Sequence, residues 1–199
     1  MHRTFRAGIL VIAVGCLASS STQRVLWRQT NGDAMATVVA EQAGSGDLAV
    51  IDPWYYALTF NRYYHGSAKW LTVPPIADLR YHRFDLFKEE MQTTNAIAPV
   101  LEQIEQTLRS GHRVFLLGRM PAWAPLAQMP PPPPVAPSKQ FGWQSVPYQI
   151  VWENELVYFL SAHATSTENF VESATNNLPV NPFEDMRLIA LSGWGTNSP

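Results

Sequence analysis

"GDLAVIDPWYYALTFNRYYHG", residues 46–66, changes character in its middle. Residues 47–52, DLAVID, form a short and nearly continuous apolar run, the pattern of a strand buried on both faces. Asp52-Pro53 then reads as a helix start, with Asp52 as N-cap and Pro53 at the first helical position, where a missing amide costs nothing. The aromatic stretch that follows is expected to be a helix launched from the strand end and stopped at Gly66. On that helix Trp54, Ala57, Leu58 and Asn61 share one side, while Tyr55, Tyr56, Thr59, Arg62 and Tyr63 cover the others. Such a helix is buried on one side and meets something on another. The candidates are a neighbouring domain, a membrane interface, or a ligand that offers stacking faces.

The alternation continues on both sides of this segment. Upstream, "QTNGDAMATVVAEQAGSGD" (29–47) predicts a helix capped by Asn31 or Asp33 and ended by Gly44 and Gly46. Downstream, "KWLTVPP" (69–75) reads as a strand halted by its proline pair, and "DLFKEEMQ" (85–92) as a short helix. "AIAPVLEQIEQTLRSG" (96–111) predicts a longer helix capped by Asn95, with one apolar stripe at Ile97, Val100, Leu101, Ile104 and Leu108. "RVFLLG" (113–118) and "MRLIALSGW" (186–194) are further strands. "YQIVWENELVYFLSAHA" (148–164) favours a helix over two strands turning at Glu153-Asn154.

Strands alternating with helices through short connections give a parallel sheet covered on both sides. The expected fold class is therefore α/β, a Rossmann-like three-layer domain with a short, mostly parallel sheet, preceded by an N-terminal apolar helix. One such domain is expected over residues 22–199. A proline-rich loop at about 119–146 carries "MPPPPPVAP" (129–137), which favours a stiff polyproline II segment.

Composition narrows the classes of function. An apolar fraction of 46% with 15% charge suits a chain with a real core. Lys plus Arg number 14 against 16 Asp plus Glu, and no run of like charge exists, which argues against a nucleic-acid partner. Cys16, the single cysteine, rules out a disulfide framework and a thiolate zinc site.

Residues 1–21 place Arg3 and Arg6 before an apolar run and small residues near Ala18–Ser21, the layout of a signal peptide or a membrane-anchor remnant. An apolar run of roughly twelve residues rises about 18 Å as a helix against a hydrocarbon core about 30 Å thick, so a full span is strained. Either layout puts the rest of the chain outside the cytoplasm, in the periplasm or cell envelope, with membrane proximity through residues 7–18.

Familiar chemical motifs are missing. The turn after DLAVID contains no glycine, and "GSG" (44–46) precedes a strand, so no dinucleotide fingerprint or P-loop is present. His65, His82, His112 and His163 stand apart with no metal-ligand spacing, and neither a metal nor a cofactor is expected. "LSGWG" (191–195) lacks the first glycine of a nucleophile elbow. Asp52 stands at the carboxyl end of a strand, where open α/β sheets bind ligands, although a capping role accounts for it equally. The binding candidates are Asp52, Trp54, Tyr55, Asn61, Arg62, Tyr63, His65 and His82; no catalytic residue is assigned.

The region from Arg28 to Met91 carries "TNGD" (30–33), "DLAVIDPWY" (47–55), "FNRYYHG" (60–66), "PPIAD" (74–78) and "HRFD" (82–85), followed by "GHRVFLLG" (111–118) and, more weakly, "VNPFEDMRL" (180–188). These features resemble the C-terminal extracytoplasmic globular domain of bacterial GT-C, dolichyl-phosphate-mannose protein mannosyltransferase-like membrane glycosyltransferases. In that class the catalytic acids lie near N-terminal membrane helices, to which nothing in this sequence corresponds. The resemblance implies a non-catalytic accessory domain that aids substrate binding or assembly. Its implied partners are a membrane glycosyltransferase subunit or a polyprenyl-phosphate sugar. Two alternatives remain: a small exported enzyme with a site near Asp52, Trp54 and His82, and a secreted or anchored interaction protein.

Overall fold

A computed structural model describes residues 8–9, 12–16, 28–119, 134–170 and 179–195. Five strands form one sheet in the order β2-β1-β3-β5-β4, where β1 is Leu48–Asp52, β2 Lys69–Thr72, β3 Val114–Gly118, β4 Ala164–Phe170 and β5 Arg187–Trp194. β1 pairs in parallel with β2 and β3, whereas β5 runs antiparallel to both β3 and β4. The sheet is thus mixed, with four strands pointing one way and β5 the other. Every residue of β1 and of β3 is buried, as the continuous apolar runs require.

The helices are α1 (Gly32–Gln42), α2 (Ala57–Tyr63), α3 (Phe84–Glu90), α4 (Ala98–Arg109) and α5 (Val146–His163). α1 packs chiefly on α2, and α4 packs on β3 and β5. Phe87 of α3 meets Trp152 of α5 edge to face, with ring centroids 5.5 Å apart. The segment 148–163 is helical throughout, so the hairpin alternative is excluded there.

Several local expectations are corrected. Asp52 does not cap a helix: it is the last residue of β1, in register with Gly118, and its carbonyl accepts the Arg119 amide at 3.2 Å. Pro53 is extended, and the peptide before it is cis. The chain then makes a 3-10 turn, Trp54–Tyr56, before α2, which ends at Tyr63, ahead of Gly66. The buried side of this stretch is Trp54, Tyr56, Ala57 and Phe60, because the 3-10 turn rotates the aromatics relative to a continuous α-helix.

Asn31 sits at the start of α1 but makes no cap bond with its side chain. Its amide instead accepts from the Met186 N–H and donates to the Met186 carbonyl, both at 2.8 Å, fastening α1 to the approach of β5. Asn95 is not a cap either, since α4 starts at Ala98 behind Ile97. β4 was not expected from ATSTENF; its central residues are exposed, so no apolar periodicity marks it. Between 134 and 145 the chain is irregular, with an isolated bridge between Ser138 and Gly142. Most of the proline tract lies outside the described residues. So does much of the N-terminal segment, of which residues 8–9 and 12–16 have helical backbone and are exposed. Among the described residues, no helix is long and apolar enough to cross a membrane.

Candidate functional site

The order β2-β1-β3 fixes where a site can form. From β1 the chain crosses to β2 on one side, and from β3 it leaves toward β4 on the other. The carboxyl ends of β1 and β3 therefore flank a topological switch point, the crevice where open α/β sheets bind ligands. Asp52 closes β1 and Gly118 closes β3 directly beside it.

Side chains from five parts of the chain gather at this point. Asp52 is only 5% exposed. Tyr55 and Tyr56 follow in the 3-10 turn, with ring centroids 5.1 Å apart and nearly perpendicular planes. The Tyr56 hydroxyl donates to the Phe183 carbonyl at 2.7 Å, tying the loop before β5 to the turn after β1. Arg119, the exposed first residue after β3, hydrogen-bonds Tyr56 and acts electrostatically on Tyr55, on Glu153 of α5 and on Glu184 of the loop before β5.

Electrostatics in the crevice follow from burial. Desolvation raises the Asp52 carboxyl well above the usual carboxylate range, and the neighbouring Glu153 pushes it further. Glu153 and Glu184 are also raised by burial, against the lowering pull of Arg119. Burial likewise raises both tyrosines, so their phenols stay neutral donors near pH 7. Burial costs Arg119 some of its preference for the charged form, but Tyr56, Tyr55 and Glu153 outweigh this and its pKa rises. The carboxyl end of the sheet thus gathers one buried acid, two partly buried acids, two phenols and one cation. Among the described residues, no three His, Cys, Asp or Glu side chains are grouped to hold a metal ion.

The folded state favours protonated Asp52, so stability from this group is complete below about pH 4, the unfolded value. It is lost as pH rises through the folded value. Asp52→Asn keeps the shape and cannot ionise. The variant is expected to match wild type near pH 4 and to exceed it at pH 8 by on the order of 1–3 kcal/mol, roughly 2–10 °C in Tm. Glu153 is coupled to Asp52, so the comparison is repeated with Glu153→Gln in both backgrounds to isolate Asp52. An Asn variant no more stable than wild type at pH 8 would refute the buried acid.

The eight residues singled out from sequence fall into two groups. Asp52, Trp54, Tyr55 and His82 lie together at the carboxyl end of the sheet. Trp54 is 1% exposed, with the His82 ring 4.6 Å from it and Phe87 at 5.8 Å. Asn61, Arg62, Tyr63 and His65 are exposed on and after the later part of α2, away from that end. Asn61 lines a separate shallow groove of about 440 Å³ with Trp70, Asp78, Leu79 and Arg80. Arg62 lies over the Tyr63 ring at 5.7 Å. Tyr56, Arg119, Glu153 and Glu184 were not among the sequence candidates. Arg119 was the one open to inference, since it directly follows the strand RVFLLG. No protein-family model, curated protein or solved structure matches this chain.

Proposed function

We propose that this is an extracytoplasmic domain of the kind attached to membrane glycosyltransferases that use polyprenyl-linked sugars, and that it binds sugar without catalysing transfer. In finer architecture it is read as a Rossmann-like three-layer domain. The observation behind the binding role is the convergence of Asp52, Tyr55, Arg119, Glu153 and Glu184 at the switch point. Carboxylates accept hydrogen bonds from ligand hydroxyls, a neutral acid and a phenol donate them, and the Tyr55 face offers a stacking platform. The assignment to the glycosyltransferase class rests on the segments DLAVIDPWY, FNRYYHG and GHRVFLLG.

Saturation-transfer NMR with methyl glycosides of glucose, galactose and mannose tests the binding role. Each hydrogen bond to a charged group contributes about 1.5–3 kcal/mol, so Glu153→Gln and Glu184→Gln should each weaken binding by about 10- to 100-fold. Arg62→Ala should leave it unchanged. The proposal fails if no glycoside binds, or if binding survives both Gln variants and is lost in Arg62→Ala.

One observation favours the alternative of a small enzyme. Asp52, raised well above the usual carboxylate range by burial, lies near the less buried Glu153, and two acids in unlike environments are what acid–base chemistry uses. Turnover of any glycoside in the same samples, abolished by Asp52→Asn, would move the conclusion to catalysis.

A further inference from the structure

Six of the eight large apolar side chains left exposed among the described residues from 28 onward lie toward one end of the domain, Tyr63 and Val135 being the other two. Tyr81 lies in the loop after β2, and Phe84 opens α3. Trp143, Val146 and Ile150 lie at the start of α5, and Phe183 precedes β5. Topology puts all six at one end. β2 finishes at its carboxyl end before Tyr81, while α5 begins at the end where β3 stops and descends toward the start of β4. β5 is antiparallel and begins beside Gly118, so the loop carrying Phe183 lies at that end too. Tyr81 and Phe183 are more than two-thirds exposed, at 71% and 72%.

Contacts link Phe84, Trp143 and the Phe183 loop along this end. The Lys88 ammonium lies 5.4 Å from the Phe84 ring and 5.2 Å from the Trp143 ring. Phe84 stacks on Phe87, which stacks on Trp54, and Tyr55 and Tyr56 lead from there to the Phe183 carbonyl.

The N-terminal segment joins the domain at the same end. Arg28 pairs with Val180, and the Asn181 amide donates to the Arg28 carbonyl at 2.9 Å, a few residues before Phe183. Among the described residues upstream of Arg28, Ile9, Ile12 and Val14 are all exposed and outside the domain core.

We propose that the carboxyl end of the sheet lies against a lipid bilayer, with the rim of Tyr81, Phe84, Trp143, Val146, Ile150 and Phe183 in the interfacial layer. Tyr and Trp favour that layer because one end of the ring is apolar and the other wet, and a lysine between two aromatics reaches for lipid phosphate. The exposed Ile9, Ile12 and Val14 supply the second membrane contact, and a single weak contact seldom gives stable attachment. The crevice then opens toward the membrane surface. This inference rests on residues 1–21 being membrane-associated, and it is independent of what the crevice binds.

Cys16 is the only cysteine, so Cys16→Ser gives a background for single labels on the full chain. An environment-sensitive fluorophore is placed at Trp143→Cys, Ile150→Cys, Phe183→Cys and, on exposed β4, Glu168→Cys. The protein is mixed with vesicles of phosphatidylcholine and phosphatidylglycerol, with and without lipids carrying a headgroup-depth quencher. The labels at 143, 150 and 183 should brighten severalfold and be quenched, while the label at 168 stays unchanged. The rim is overturned if the chain floats with the vesicles and no label responds, because the N-terminal segment alone then holds it. It is overturned in favour of a protein partner if the rim labels respond only when membrane protein is added. A chain that does not float at all removes both the rim and the reading of residues 1–21.

Discussion

Gly118→Ala is expected to leave no cooperatively folded protein. Gly118 has φ +147°, and a Cβ built on it would lie 1.5 Å from the Asp52 carbonyl oxygen and 2.6 Å from its carbonyl carbon. Both are backbone atoms of the neighbouring strand, so no side-chain rotation relieves the overlap. β1 and β3 would have to part by more than an ångström at the point where Arg119 N–H meets the Asp52 carbonyl. The β1–β3 pair is the middle of the sheet, and separating it removes packing along both strands. The expected loss exceeds about 4 kcal/mol, which is exceptional for one methyl group. Gly111→Ala is the control, because Gly111 also has positive φ (+79°) but no atom within 4 Å of its added Cβ. It should cost about 1–2 kcal/mol from backbone strain alone. Urea unfolding followed by circular dichroism separates the two outcomes, and equal losses would show that backbone strain, not the close approach, sets the requirement for glycine.

Trp54→Ala carries the second largest expected effect, a loss of about 3–5 kcal/mol. Trp54 is buried against Phe87, His82 and Tyr55, which come from a helix, a loop and the 3-10 turn. Truncation leaves a cavity that three separate segments cannot easily collapse to fill. Denaturant titration should show the midpoint fall sharply for Trp54→Ala, while exposed Arg62→Ala stays within about 0.5 kcal/mol of wild type. A small effect at Trp54 would mean that the core around Trp54 repacks, and with it that Asp52 and Tyr55 are not rigidly placed. For the same reason, lost ligand binding in Trp54→Ala would report a damaged frame and not a lost contact.

The strands most buried in the fold were the plainest in the sequence. DLAVID, RVFLLG and MRLIALSGW are apolar runs of strand length, and the stripe from Ile97 to Leu108 has helical spacing, so each followed from short-range pattern alone. ATSTENF gave no such sign, because an exposed edge strand has no buried face to mark it. Asp52-Pro53 misled for a related reason. Local preference makes this pair a helix start, but pairing with β3 holds Asp52 in the sheet.

The crevice divides in the same way. Asp52, Trp54, Tyr55 and His82 could be singled out because they stand in or near one unusual aromatic stretch at a strand end. Arg119, Glu153 and Glu184 are ordinary charged residues far apart in the chain, and composition or spacing does not distinguish them from solvated ones. By itself the sequence determined the buried strands and the longer helices, since periodic burial is written into neighbouring residues. Tertiary structure alone decided that β5 runs antiparallel, that β1 and β3 meet at a switch point, and that one cation and three acids surround it. Those facts depend on contacts between distant segments, which no local pattern encodes.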